Sequence, residues 1–195
     1  MLSTLRNKIF KIFGHIKYSK YPPYLYYKPQ GYKVRGEHVE ELLGLIKPGD
    51  VLIRGYDSYL SSKLIGHWSH VGLVTESNKV VHAIGAGVTK EHIINFFRCD
   101  RIIVVRPKLT QNQVNGVIAK AELSVGTKYD FSFDFENDDE FSCTELVYYC
   151  FKEEKEVLKM SKEEVSLFMG LIKKTVIRPE AFEEYKGFEM MKRIE

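Results

Sequence analysis

Hydrophobic and polar positions along the chain fall into short runs whose period changes several times. Between residues 2 and 16 the apolar set Leu2, Leu5, Ile9, Ile12, Phe13 and Ile16 recurs at helical spacing, with Arg6, Lys8 and Lys11 between. That pattern predicts a short basic amphipathic helix. Tyr21-Pro22-Pro23-Tyr24 and Tyr26-Tyr27-Lys28-Pro29 stop any helix and predict an extended linker. A folded domain is expected from about Glu37, opening with a helix over 37–46. Lys47-Pro48-Gly49-Asp50 ends that helix in a turn before the strand Val51-Leu52-Ile53-Arg54. A helix over 59–65 follows. His70-Val71-Gly72-Leu73-Val74 and Val80-Val81-His82-Ala83-Ile84 are β-rich, and the polar turn Glu76-Ser77-Asn78-Lys79 between them predicts a hairpin. Arg101-Ile102-Ile103-Val104-Val105-Arg106 reads as another strand and 110–124 as a helix. Residues 130–139 form an acidic, aromatic loop before a helix over 143–152. The chain beyond is charged and helical in pattern, with a strand expected over 175–177 and a Pro-started helix over 179–185. Strands in the middle with helices around them predict an α+β fold, a central antiparallel sheet flanked by helices.

Composition adds little to this until charge is mapped onto it. The 195 residues are 44% hydrophobic and 28% charged, which suits one ordinary domain. A net charge of +3 is too small to argue for a nucleic-acid partner, and none is expected. The distribution is uneven, however. Eight bases and no acid precede Glu37, which leaves 21 bases against 26 acids in the rest. The chain therefore divides into a basic arm with its linker, 1–36, and a domain, 37–195. The arm's apolar face and cationic flanks suit peripheral contact with a membrane surface through residues 1–35; packing of the same face on the domain is the alternative. Three cysteines, Cys99, Cys143 and Cys150, with no CxxC pair, disfavour a disulfide framework and suit a reducing compartment. Apolar runs are far short of the roughly 20 residues of a spanning helix, and the first residues lack the apolar core of a secretory leader. A cytoplasmic protein, peripheral to a membrane if the arm docks, is the expectation.

Chemistry concentrates in Phe141-Ser142-Cys143-Thr144-Glu145-Leu146-Val147. Ser142 is a good helix cap and puts Cys143 in the first turn, where unpaired N–H groups and the positive end of the helix dipole lower a thiol's pKa. Cys143 is thus placed as an activated thiol, or else is a buried structural cysteine. Cys150, well inside the same helix, keeps the structural reading. A thiolate nucleophile needs a base and a third group that orients the base. His70 and His82, each set among Val, Leu, Ile and Gly, suit those roles. For both rings to share a face, facing residues must have numbers with an even sum, which requires an odd-length loop or a bulge; a three-residue loop Glu76-Ser77-Asn78 satisfies this. A zinc reading of His67, His70, His82 and a cysteine is disfavoured, because strand residues three apart point to opposite faces and no close cysteine pair or HExxH is present. No metal and no cofactor are expected. His15, His38 and His92 carry no signal.

The order Gly49-Asp50-Val51-Leu52-Ile53, Trp68-Ser69-His70-Val71-Gly72-Leu73-Val74, Val80-Val81-His82-Ala83, Lys128-Tyr129-Asp130-Phe131 and Phe141-Ser142-Cys143-Thr144-Glu145-Leu146-Val147 resembles the circularly permuted papain-like amidases of the YaeF/YiiX group, within the NlpC superfamily. The similarity spans about residues 47–152. It implies a permuted papain-like fold in which the histidine strand precedes the cysteine helix, with Cys143 as nucleophile and His70 as base. The third polar position, often an acid in the group, is His82 here, which is similar to the lecithin:retinol acyltransferase-like branch. Tyr129 matches a family tyrosine near the site; with Ser142 it is a candidate for an oxyanion or substrate-binding role, packing being the alternative.

These residues together predict a cysteine hydrolase or acyltransferase acting on an amide, ester or thioester bond of a small-molecule, lipid or peptide acyl substrate, through a Cys-His-His site and a thioester acyl-enzyme. The rival expectation is a catalytically silent, membrane-associated interaction module of the same fold.

Overall fold

The computed structural model describes residues 31–57, 67–132, 138–154 and 176–195 with their side chains, and 16–19, 24–27, 163–167 and 172–175 as backbone. The arm helix expected over 2–16 falls, but for Ile16, outside the described residues. So do the helix expected over 59–65, residues 133–137 of the acidic loop and 155–162 of the charged stretch.

The chain divides into two compact units, residues 1–33 and 34–195. In the first, β1 (Ile16–Ser19) pairs antiparallel with β2 (Tyr24–Tyr27), from Ile16 opposite Tyr27 to Ser19 opposite Tyr24. The stretch expected as a plain extended linker therefore contains a hairpin. Aromatic residues favour strands, and pairing satisfies backbone groups that a lone extended segment leaves to water.

The second unit begins with α1 (Glu37–Leu45) and is built on a six-stranded antiparallel sheet. Its strands are β3 (Val51–Gly55), β4 (His70–Glu76), β5 (Lys79–Ile84), β6 (Gly87–His92), β7 (Arg101–Pro107) and β10 (Phe188–Ile194). The spatial order is β10-β7-β3-β4-β5-β6. The remaining elements are α2 (Ile93–Phe96), α3 (Gln111–Leu123), α4 (Cys143–Phe151), the separate hairpin β8 (Glu163–Leu167) with β9 (Ile172–Val176), and α5 (Ala181–Glu184). β8 replaces the helical pattern expected there, since Val165 and Leu167 alternate with Glu164 and Ser166 at the strand period, whereas β9 overlaps the strand expected over 175–177 at Thr175 and Val176. β6 and β10 escape the sequence pattern because they are the two edge strands, whose charged residues make them look like loops.

Both faces of the sheet are covered. Val51, Ile53, Val71, Leu73, Val81, Ala83, Ile103 and Val105 pack toward α3, α4 and α5, against Val117, Ala121, Leu146, Val147, Phe151 and Phe182. Leu52, Val74, Val80, Ile102 and Val104 face the other way, toward Leu42 of α1 and Ile93 and Phe96 of α2. This double cover explains why the central strands are almost continuously apolar. Among the described residues no helix is long and apolar enough to cross a membrane.

The β4–β5 turn differs from the expected three-residue loop. Glu76 pairs with Lys79 across a two-residue turn, and the register shifts between Val74 and Glu76. Beyond that shift Val74 faces Val80 and Leu73 faces Val81. The bulge at Thr75 thus supplies the even sum that the loop was expected to supply.

Candidate active site

Helix α4 starts with a reciprocal cap. Ser142 N–H donates to Glu145 Oε2 at 2.7 Å, and Ser142 Oγ accepts from Glu145 N–H at 3.5 Å. Both side chains are buried. The Ser142 N–H and hydroxyl are thus both engaged at the helix start. The cap makes Cys143 the first helical residue.

Cys143 is half-buried, and the backbone N–H groups of Val71, Thr144 and Cys143 itself lie near enough to its sulfur to favour the thiolate. The approach to Val71 follows from the sheet. Val74 N–H donates to Asp50 O at 2.9 Å, so by alternation the N–H groups of Val71 and Leu73 turn toward β5. The β4–β5 ladder ends at Leu73 and Val81, which leaves the Val71 N–H beyond its last rung. A helix on one face of the sheet thereby brings its thiol to the backbone of the strand carrying His70. Desolvation outweighs the three N–H groups and the nearby Arg54 charge, and pushes the Cys143 thiol above its ordinary range. This reverses the expectation of a depressed thiol pKa: the helix start does favour the thiolate, but burial costs it more.

His70 and His82 lie on the opposite face. His70 Nε2 and His82 Nδ1 are 2.7 Å apart, a hydrogen bond joining the two rings. Gly72 lies beside His82. A Cβ there would sit 2.8 Å from Val80 Cγ2, 2.9 Å from Phe96 Cε2 and 3.2 Å from His82 Cβ, so the close approach needs glycine. Phe96 packs against both rings, with centroids 5.6 and 5.5 Å away. Burial, then the Arg54 charge, lowers His82 to about 3. Burial, Arg54 and His82 hold His70 well below its usual range. Arg54 stands opposite His70 on β3, donates to Phe96 O at 3.2 Å and stacks over that ring at 4.3 Å. Both imidazoles are consequently neutral near pH 7.

Tyr129 is half-buried, with its ring 4.8 Å from that of Phe131. Burial first, then the proximity of Cys143, Glu145 and Asp130, raises its phenol, which stays a neutral O–H donor. Gly87 lets this segment approach the sheet. Its φ is 111°, and a Cβ there would lie 2.6 Å from Thr127 O.

His67 does not join the pair: its side chain is 53% exposed and 3.5 Å from Glu195. His92 caps α2, its Nδ1 accepting from Ile94 N–H at 3.3 Å. Cys150 is fully buried, and burial pushes its thiol up to about 12. Among the described residues no group of three or more His, Cys, Asp and Glu side chains could hold a metal ion. Two residues near the imidazoles were absent from the sequence reading. One is Arg54; the other is Glu91 on the edge strand β6, whose Oε1 lies 3.1 Å from His82 Nε2. The only sequence signal for either is a charge in an otherwise β-rich stretch.

No curated protein matches the chain in sequence. Among solved structures, the crystal structure of the metalloprotein YiiX from Escherichia coli O157:H7 matches with a TM-score of 0.63 at 19% identity. The match covers 76% of this chain and 98% of that one, and shares the fold. A family model described as permuted papain-like amidase enzyme, YaeF/YiiX, C92 family, matches residues 45–182. The six-stranded sheet, the histidine strand ahead of the cysteine helix and that match over most of the chain place this protein in the C92 family of permuted papain-like amidases, with the general hydrolase role of a cysteine-peptidase-like enzyme.

Proposed function

We propose that the protein cleaves an amide or related acyl bond with Cys143 as nucleophile, His70 as general base and His82 as the group that orients His70. The observation that carries this reading is the 2.7 Å contact between His70 Nε2 and His82 Nδ1, on a strand whose next N–H lies near the Cys143 sulfur. With Nε2 engaged, Nδ1 of His70 is the nitrogen left for the thiol, and the place where sulfur and ring can meet is beyond Leu73 and Val81, where β4 and β5 no longer pair and no continuous ladder divides the two faces. As the sulfur attacks the carbonyl carbon, the thiol proton passes to Nδ1, and the oxygen takes up the negative charge. Donors suited to that oxygen are the N–H groups at the start of α4 and the Tyr129 hydroxyl. The tetrahedral adduct collapses to a thioester, and His70 returns the proton to the departing amine or alcohol. Water, activated by the same ring, then releases the acid and restores the thiol; an acceptor other than water would make the reaction an acyl transfer.

The raised thiol and lowered imidazole favour a neutral resting pair, in which the proton moves during attack rather than before it. The solved neighbour's title calls it a metalloprotein. In this chain the two ring nitrogens are at the spacing of a donor and acceptor sharing one proton, and the described residues offer no three-ligand cluster. These residues do not fit a resident metal.

The test is acylation by p-nitrophenyl acetate, followed by p-nitrophenolate release and intact mass. Wild type should acquire one acetyl group on Cys143, and Cys143→Ala should acquire none while melting as before. Acetylation undiminished in Cys143→Ala overturns the proposal. Cys99 and Cys150 are buried, with thiols pushed up to about 12, and should stay silent.

A further inference from the structure

We infer that Glu91 is a positioning residue that acts through His82 to set which nitrogen of His70 carries the proton. The inference rests on the Cys143–His70 reading above and extends it by one residue on a different strand.

The placement comes from the sheet. On the β5–β6 ladder His82 faces Thr89 and Val80 faces Glu91, so Glu91 lies diagonally beside His82 on the same face. Glu91 Oε1 is 3.1 Å from His82 Nε2, although off the axis of a well-formed hydrogen bond. His82 is only 2% exposed, and its Nε2 has no other partner among the described residues. Arg54, the other charged side chain acting on the ring, approaches from β3 and can only donate. Glu91 is thus the available acceptor for a buried N–H.

The consequence runs along the pair. An ionised carboxylate only accepts, so it selects the His82 tautomer with hydrogen on Nε2. In a neutral ring that leaves Nδ1 of His82 as a lone pair, and the 2.7 Å contact then requires hydrogen on Nε2 of His70. Nδ1 of His70 is left bare, the state a general base needs. The reverse arrangement, with hydrogen on Nδ1 of both rings, satisfies the same contact but leaves His70 unable to take the thiol proton. The ring-to-ring hydrogen bond does not choose between the two. The carboxylate does, and its half-buried position on an edge strand lets it do so without a second buried charge.

The experiment uses full-length protein labelled with 15N-histidine, as wild type, Glu91→Ala and Glu91→Gln, each also in a Cys143→Ala background. Long-range 15N–1H spectra read the tautomers. p-Nitrophenyl acetate hydrolysis gives kcat and KM. Expected are Nε2–H signals for both rings in wild type and gain of the Nδ1–H form in Glu91→Ala. With them, kcat should drop about 10- to 100-fold at nearly constant KM. Glu91→Gln should recover much of kcat, because its carbonyl oxygen can accept the same N–H. Unchanged tautomers in Glu91→Ala, or a loss of kcat that Glu91→Gln repeats in full, overturns the inference. The two claims fail separately: activity surviving Cys143→Ala sinks the nucleophile while the tautomer spectra still read Glu91.

Discussion

The two faces of the central sheet are equally dry and unequally occupied. Toward α3, α4 and α5 the strands present hydrocarbon alone, with Val71, Leu73, Val81 and Ala83 against Leu146, Val147 and Phe151. Toward α1 and α2 the same strands present His70, His82 and Arg54 among Val74, Val80 and Phe96. The first face supplies burial energy and fixes the helix. The second holds two imidazoles in surroundings that keep them neutral. Cys143 belongs to the first through its helix, yet its sulfur lies near the backbone of the histidine strand. The imidazoles and the hydrocarbon that fixes the helix are thus separated by one layer of backbone, and substitutions on the two sides should read out differently.

The largest contrast is between His70→Ala and Leu146→Ala. Loss of the base should cut acylation by about 10²- to 10⁴-fold with little change in stability. Leu146 is fully buried, and its truncation should cost about 2–5 kcal/mol in urea unfolding while folded molecules react at the wild-type rate. A Leu146→Ala protein that is fully folded yet as inactive as His70→Ala would show that the faces are not separable.

Gly72→Ala probes the histidine face by steric means. The added methyl meets Val80, Phe96 and His82, and should destabilise the fold by about 1–3 kcal/mol. Because one of those neighbours is His82, kcat should fall as well. Wild-type kcat in a destabilised Gly72→Ala protein would mean that the pair tolerates displacement.

The smallest effect is a slope with pH. Folded His82 stays neutral down to about 3, whereas an unfolded histidine titrates near 6.5. Between those values the unfolded chain binds the extra proton, so stability is full above about pH 6.5 and declines as pH falls, by about 1.4 kcal/mol per pH unit per histidine. His70, also held low, adds in the same direction. Urea midpoints at several pH values should show a shallower acid decline in His82→Asn than in wild type; parallel curves would mean that the ring is not held neutral.

Much of this was legible along the chain. The strand runs at 51–54, 70–74, 80–84 and 101–106 each fall inside an observed strand, and the helix expected from Cys143 starts there. These elements are covered on both sides, so their composition reports burial directly. The edge strands β6 and β10 were not legible, because an edge carries charge for its own reasons. Glu91 was hidden with β6. The β1–β2 hairpin and β8 differ from the linker and the helical pattern expected, since pairing in short segments satisfies backbone groups that no local pattern announces. The thiol's pKa went the wrong way because a helix start can be read from Ser142 and Glu145, whereas desolvation depends on what closes over the sulfur.

The amino-acid order by itself determined the fold class and the capped helix that begins with Cys143, and it set the condition under which His70 and His82 share a face, all consequences of periodicity and of chemistry a few residues apart. Only the tertiary structure decided where the β4–β5 ladder stops, that the bulge at Thr75 sets its register, and that Arg54 and Glu91 stand beside the imidazoles. The physical reason is range. Caps and alternation act between neighbours in the chain, whereas burial, electrostatic fields and tautomer choice are set by groups from other strands that meet only when the sheet is assembled.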